Sequence, residues 1–202
     1  MADTISALDK MLQPGRYGCL HNGKATVSLQ EIKGMVLTQM AAFPHQKAAF
    51  HSYLNDRLQC GLPQPGKVEG GNYSVRKAGK SACFAARLDP SKIMLITKTT
   101  PLDLPSTFYP LDLTDARTVL KIQGDNATAL LARLCALNFS DTAFPEGSFA
   151  MTGIHHVSVS IWRHQDAYIA FLPRSFAASL YHLMLQIAEQ FGCEVLDSAK
   201  WS

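Results

Sequence analysis

Apolar positions change their period along the chain, and the changes mark the elements. Ala25-Thr26-Val27-Ser28-Leu29 alternates and is β-branched, which predicts a strand, and Met35-Val36-Leu37 predicts a second. After Pro44 the spacing widens. Ala49, Phe50, Tyr53, Leu54 and Leu58 form one stripe, predicting a helix over about 45–58. Short strands are expected over about 72–76, 82–87 and 92–97, with Leu88-Asp89-Pro90-Ser91 as the hairpin turn between the last two. Pro101 to Phe108 predicts a short helix ahead of Pro110. The stretch from 61 to 80 is rich in glycine and proline and reads as the least structured part of the chain.

The second half is more regular. Thr118-Val119-Leu120-Lys121-Ile122 predicts a strand, and Gly124-Asp125-Asn126 then opens a helix reaching about 136. Its apolar stripe is Ala127, Leu130, Leu131, Leu134 and Cys135. Beyond the loop at Phe144-Pro145-Glu146-Gly147, one long strand is expected over about 149–163, bending near Gly153, and another over about 167–172. His164-Gln165-Asp166 reads as the turn joining them. Ser175 is a good N-cap for a last helix, which carries Phe176, Leu180, Leu183, Met184, Ile187 and Phe191 and stops at Gly192. Burying those six side chains is worth on the order of 10 kcal/mol before entropy.

Each half thus reads strand, helix, strand, strand, helix, with an offset of about 75–83 residues. The fold class expected is α+β: two similar βαββα halves, each an antiparallel sheet covered by helices. The turn-rich start, with Pro14-Gly15, Gly18 and Asn22-Gly23, suggests an N-terminal arm over 1–24. Residues 25–110 would form the first half and 111–202 the second, within one compact domain.

Composition narrows the function classes. Of 202 residues, 47% are apolar and 17% charged, which excludes a disordered chain. No apolar run approaches the roughly 18 residues of a membrane span. The opening MADTISALDK has no basic region leading into an apolar stretch, so no signal peptide is expected and the cytoplasm is the default location. Net charge is +3, and lysines and arginines are scattered singly, so nucleic acid is not an expected partner. Low charge with many apolar residues slightly favours a surface made for a protein partner over a merely rich core. The five cysteines show no C-x-x-C pattern, and read as reduced, mostly small apolar fillers rather than a disulfide framework or zinc site.

The search for chemistry returns weak candidates. No nucleotide-binding, nucleophile-elbow or metalloprotease motif is present. His155 and His156 on one long strand would point to opposite faces and could not share a metal. His156, Ser158, Ser160 and Trp162 would then share a face polar enough to meet solvent, a ligand or a partner. Arg174 beside Ser175 at a helix start could bind an anion, though capping with a surface arginine is favoured. Trp162-Arg163 reads equally as an interface contact pair and as a sheet-edge pair covering its own helix. The acid pairs Asp112/Asp115 and Asp141/Glu146 read as solvated loop residues. Trp162, Arg163 and Arg174 are therefore the partner or ligand contacts nominated, with no catalytic and no metal-binding residue.

Three blocks carry a family resemblance. The run from Asp112 through Thr118-Val119-Leu120-Lys121-Ile122-Gln123 to Gly124 is one, and Leu130 to Leu137 followed by Phe144 and Gly147 is the second. The third is Val157 to Trp162-Arg163, then Pro173-Arg174-Ser175-Phe176-Ala177 and a long helix reaching Phe191-Gly192. In order and spacing, over about 110–192, these resemble the gamma subunits of heterotetrameric sarcosine oxidase. Val27-Ser28-Leu29-Gln30-Glu31 and Leu88-Asp89-Pro90 agree more loosely. The resemblance implies a fold like the folate-binding domain of the glycine-cleavage aminomethyltransferase. It implies a cytoplasmic complex with alpha, beta and delta subunits that oxidatively demethylates sarcosine, or a related N-methyl amino acid, and passes the one-carbon unit to tetrahydrofolate. FAD, FMN and NAD would be held by the large subunits and zinc by the smallest. This chain would bind no cofactor and have no active site of its own.

Two other readings stand beside it. One is a stand-alone folate-binding or interaction protein of the same fold, with Trp162, Arg163 and Tyr168 as pterin-contacting candidates. The other is a free-standing enzyme, for which His155, His156 and Cys135 would be the first residues to test.

Overall fold

The computed structural model describes residues 5–20, 22–75, 79–99 and 104–201. In chain order the elements are β1 (Gly15–Tyr17), β2 (Val27–Lys33), β3 (Val36–Ala41), α1 (Lys47–Leu58), β4 (Val68–Val75), β5 (Gly79–Asp89), β6 (Lys92–Thr97) and β7 (Leu111–Asp112). They continue with β8 (Arg117–Gln123), α2 (Ala127–Leu134), β9 (Phe149–Ile154), β10 (Val157–His164), β11 (Ala167–Pro173), α3 (Ala177–Ala188) and β12 (Cys193–Lys200). The chain divides into two compact units, one from Met1–Lys33 and Asp115–Lys200, the other from Gly34–Thr114 and Trp201.

The first unit is built on a seven-stranded sheet in the order β1-β12-β2-β8-β11-β10-β9. Alternation explains its inner face. Leu29, Leu120, Ile122, Ile161 and Ala170 point to one side and pack with Leu130 and Leu131 of α2 and with Leu180, Tyr181 and Met184 of α3. All five stripe residues predicted for α2 are buried. Strand β11 is buried from Ala167 to Leu172, as its unbroken apolar run requires of a strand covered on both faces.

The second unit holds a five-stranded antiparallel sheet, β4-β5-β6-β3-β7. Phe50, Leu54 and Leu58 of α1 pack on Met40, Ala85, Ile93 and Leu95, closed by Phe108. The turn between β5 and β6 falls at Pro90-Ser91, where it was expected. Of the short helix expected from Pro101 to Phe108, residues 101–103 lie outside the described residues, and a single 3-10 turn occupies Ser106–Phe108.

Several expectations are corrected. The stretch read as an arm is no arm: Leu8 is fully buried in the first unit's core, and β1 pairs with β12, Tyr17 opposite Cys193. Strand β2, expected to open the first half, lies between β12 and β8. The compact units therefore part near residues 33 and 115 rather than at 24 and 110. The first unit's sheet is not purely antiparallel, because β12, which no sequence pattern announced, runs parallel to β2. From Val68 on, the described part of the glycine-rich stretch is β4 and the start of β5, paired antiparallel. Gly71 is there for close approach: a Cβ on it would lie 2.3 Å from the Leu58 carbonyl oxygen and 2.7 Å from Cys60 Cβ.

The long strand expected over 149–163 is two strands. Ile154 pairs with Val157, leaving His155-His156 as a two-residue turn with φ of 47° and 67°. At the last helix, Arg174–Phe176 form a 3-10 turn, α3 starts at Ala177, and Ser175 makes no side-chain cap. Phe176 is half exposed, and Tyr181 takes the core place assigned to it. Gly192 does end the helical run, with φ of 71°.

Candidate functional site

The nominated residues are placed by β10 and β11. Neighbours on a strand face opposite ways, so Trp162 and Arg163 part company at once. Trp162 is 1% exposed. It sits across from Phe149 and Ile169, both buried, and stacks on His164 with ring centroids 4.2 Å apart. The face shared with Ser158 and Ser160 is therefore wet at one end and dry at the other. Burial also lowers the His164 pKa from its ordinary 6.5, an effect Glu146 opposes and Lys121 reinforces.

Arg163 serves the loop between α2 and β9. Its guanidinium donates to the Phe144 carbonyl oxygen at 3.0 Å and pairs with Asp141 at 2.7 Å. It also lies 5.4 Å from the centroid of Tyr168, its cross-strand partner. Tyr168 is buried, edge-on to Phe139 and beside Phe144, with its hydroxyl 3.0 Å from Thr128 Oγ1. This cluster closes the loop over one end of the sheet.

Arg174 stands at the other end of β11, six residues beyond Tyr168, or about 20 Å along an extended strand. It donates to the carbonyl oxygen of Ile5 and so ties down the N-terminal segment. The three nominated contacts are thus not brought together. Each is engaged inside the first unit.

The residues named for a free-standing enzyme are also apart. His155 and His156 form an exposed turn, their ring centroids 5.9 Å from each other. Cys135 is buried at the end of α2, and burial pushes its thiol up, away from the thiolate that would attack a substrate. Among the described residues no group of three or more His, Cys, Asp or Glu could hold a metal ion. Among them, too, no helix is long and apolar enough to cross a membrane.

Sequence reasoning missed one polar node. Glu31 is 4% exposed. Its carboxylate accepts from the Ser6 hydroxyl and lies 3.7 Å from Lys33 Nζ, which also reaches Asp9 at 3.8 Å. The spacing of Glu31 and Lys33, two apart on one strand, was the available signal for a same-face pair. The Ser6 and Asp9 partners had no local signal.

No protein-family model matches the sequence, and no curated protein matches it. Solved structures do. A chain of the heterotetrameric sarcosine oxidase from Corynebacterium sp. U-96, in complex with pyrrole 2-carboxylate, matches with a TM-score of 0.69 at 22% identity, over 87% of this chain and 88% of that one. The glycine cleavage system aminomethyltransferase T from Bartonella henselae matches with a TM-score of 0.63 at 19% identity, over 86% of this chain. This chain spans about half of that enzyme, 48%. The mixed two-sheet fold is the one these proteins share, the aminomethyltransferase fold. At these identities the likeness speaks for fold alone.

Proposed function

We propose that this chain is a structural, non-catalytic gamma-type subunit of a sarcosine-oxidase-type flavoenzyme complex acting on sarcosine or a related N-methyl amino acid. One observation carries the reading. The match to a chain of a heterotetrameric sarcosine oxidase runs nearly end to end in both directions, whereas the match to the aminomethyltransferase leaves half of that enzyme unaccounted for. A fold that matches most of a subunit's length is suited to a subunit's role. The partners under this reading are alpha, beta and delta chains, with FAD, FMN, NAD and tetrahydrofolate bound elsewhere in the complex.

The site residues agree with a supporting role. Arg163 and Arg174 hold loop and terminus to the sheet, and Trp162 is packed away. The stand-alone folate reading draws on the aminomethyltransferase likeness. Its three named residues do not fit a pterin. Trp162 and Tyr168 present no open ring face, and the Arg163 guanidinium is already paired.

Affinity purification of the tagged chain from its own host tests the proposal. The expected eluate is yellow, with two larger chains and one smaller chain. A colourless single band that shifts its fluorescence with millimolar reduced folate would overturn it in favour of the folate reading.

A further inference from the structure

Four of the five cysteines are buried, and two of those share a place in the second unit. Cys60 follows α1, just beyond Gln59, whose left-handed backbone (φ 49°) turns the chain back onto the sheet. Cys83 lies on β5 directly across from Gly71 of β4. The missing side chain at Gly71 makes room for Cys60, whose Cβ sits 2.7 Å from where a Gly71 Cβ would be. Directly opposed Cβ positions on paired strands are about 4.5–5.5 Å apart. Cys60 therefore occupies the space beside Cys83, where a disulfide needs its Cβ atoms about 3.5–4.5 Å apart. The Cys83 thiol donates to the Leu58 carbonyl oxygen at 3.6 Å, the same oxygen that lies beside the Gly71 gap Cys60 fills.

We propose that Cys60 and Cys83 form a reversible internal disulfide when the protein meets a peroxide, stapling the end of α1 to β5. In the first step the Cys83 thiolate attacks one oxygen of hydrogen peroxide, breaking the O–O bond to give a sulfenic acid and hydroxide. In the second, the Cys60 sulfur attacks the Cys83 sulfur and displaces the oxygen as water. The sum is two thiols and one hydrogen peroxide giving one disulfide and two waters, with sulfur oxidised and peroxide oxygen reduced.

The asymmetry of the pair suits this division. The hydrogen bond that Cys60 gives to Cys83 raises the Cys60 thiol and lowers Cys83; burial adds to the rise at Cys60 and opposes the fall at Cys83. Peroxide is scarcely larger than water, and Gln59 is followed by a stretch containing Gly61, Pro63, Pro65 and Gly66. Because the pair is buried, its oxidation requires this stretch to open locally to admit the oxidant without unfolding the sheet. Closing a loop of about 24 residues restricts the unfolded chain more than the folded one.

The test uses the full chain with Cys19→Ser, which removes the exposed thiol. After peroxide and quenching, four free thiols in denaturant should become two. A non-reducing tryptic map should join peptides 58–67 and 81–87 with a loss of two hydrogens, and dithiothreitol should separate them. The melting temperature should rise by about 5 °C on oxidation and return on reduction. Cys60→Ala in the same background should abolish both the link and the shift. The proposal is overturned if those peptides stay separate while thiols are lost, or if all four thiols persist. Because the link is read on a chain keeping both cysteines, a failure of the alanine variant to fold leaves the test intact.

Discussion

The two units use the same materials and connect them differently. The second is local: β4, β5 and β6 follow one another as hairpins, and β3 and β7 close the sheet from within Gly34–Thr114. The first is assembled from far-apart pieces. Ser28 pairs with Gln123 and Val27 with Cys193, so its interior strand β2 is flanked by strands from much later in the chain. Long loops cost entropy before their contacts repay it. The first unit meets that cost with a large apolar core under α2 and α3, the second with a smaller core under α1.

The strongest way to break this comparison is to damage one core alone. Leu131→Asp buries an unpaired carboxylate in the first unit and should cost at least about 4 kcal/mol. Hydrogen exchange should then show protection lost over β8, β10 and β11 and retained over β5 and β6. Equal loss in both would show that the units unfold as one. The reverse experiment is milder. Gly71→Ala pushes a methyl group into Leu58 and Cys60 and should cost about 1–3 kcal/mol, read as a lower denaturation midpoint with exchange accelerated over β4, β5 and α1.

A smaller effect should have the opposite sign. His155 and His156 hold left-handed backbone that Asn-Gly adopts easily, so replacing them by Asn and Gly should stabilise the first unit by about 1 kcal/mol. An unchanged or lower denaturation midpoint would mean the turn carries no releasable strain. The least effect concerns pH. Burial depresses the His164 pKa below its ordinary 6.5, so the unfolded chain takes up a proton first on acidification. The stability from neutral His164 is present above 6.5 and is lost as pH falls from there through the lower folded pKa. His164→Gln should flatten that part of the pH–stability curve, which repeated denaturant titrations between pH 7.5 and 5 would reveal.

What was legible follows the same division between near and far. The stripe of α2, the turn at Pro90-Ser91 and the turn after His164 depend on residues a few positions apart, and all three were read correctly. The turn at His155-His156 was missed because it lacks the Asn-Gly or Asp-Gly pair that marks a two-residue hairpin loop. Strand β12 was missed because its alternation is short and breaks at an irregularity between Leu196 and Ala199. Trp162 was misjudged because Ser158 and Ser160 made its face look wet, while Phe149 and Ile169, which enclose it, sit on other strands. Arg163 and Arg174 were noticed for their chemistry. Their partners, Asp141 and the Ile5 carbonyl, were beyond the reach of any local pattern.

The parallel pairing of β12 with β2 also sets a schedule for synthesis. A ribosome adds roughly 5–20 residues per second. Everything the second unit is built on, Trp201 aside, has been made once residue 114 is added, and that unit can collapse while elongation continues. Strand β2 is made early but gains its parallel neighbour only with residues 193–200, on the order of ten seconds later. Both edges of β2 stay unpaired until β8 is made, and one stays so until β12 follows, so Val27, Leu29 and Ile32 are the segment a nascent-chain chaperone would be expected to hold.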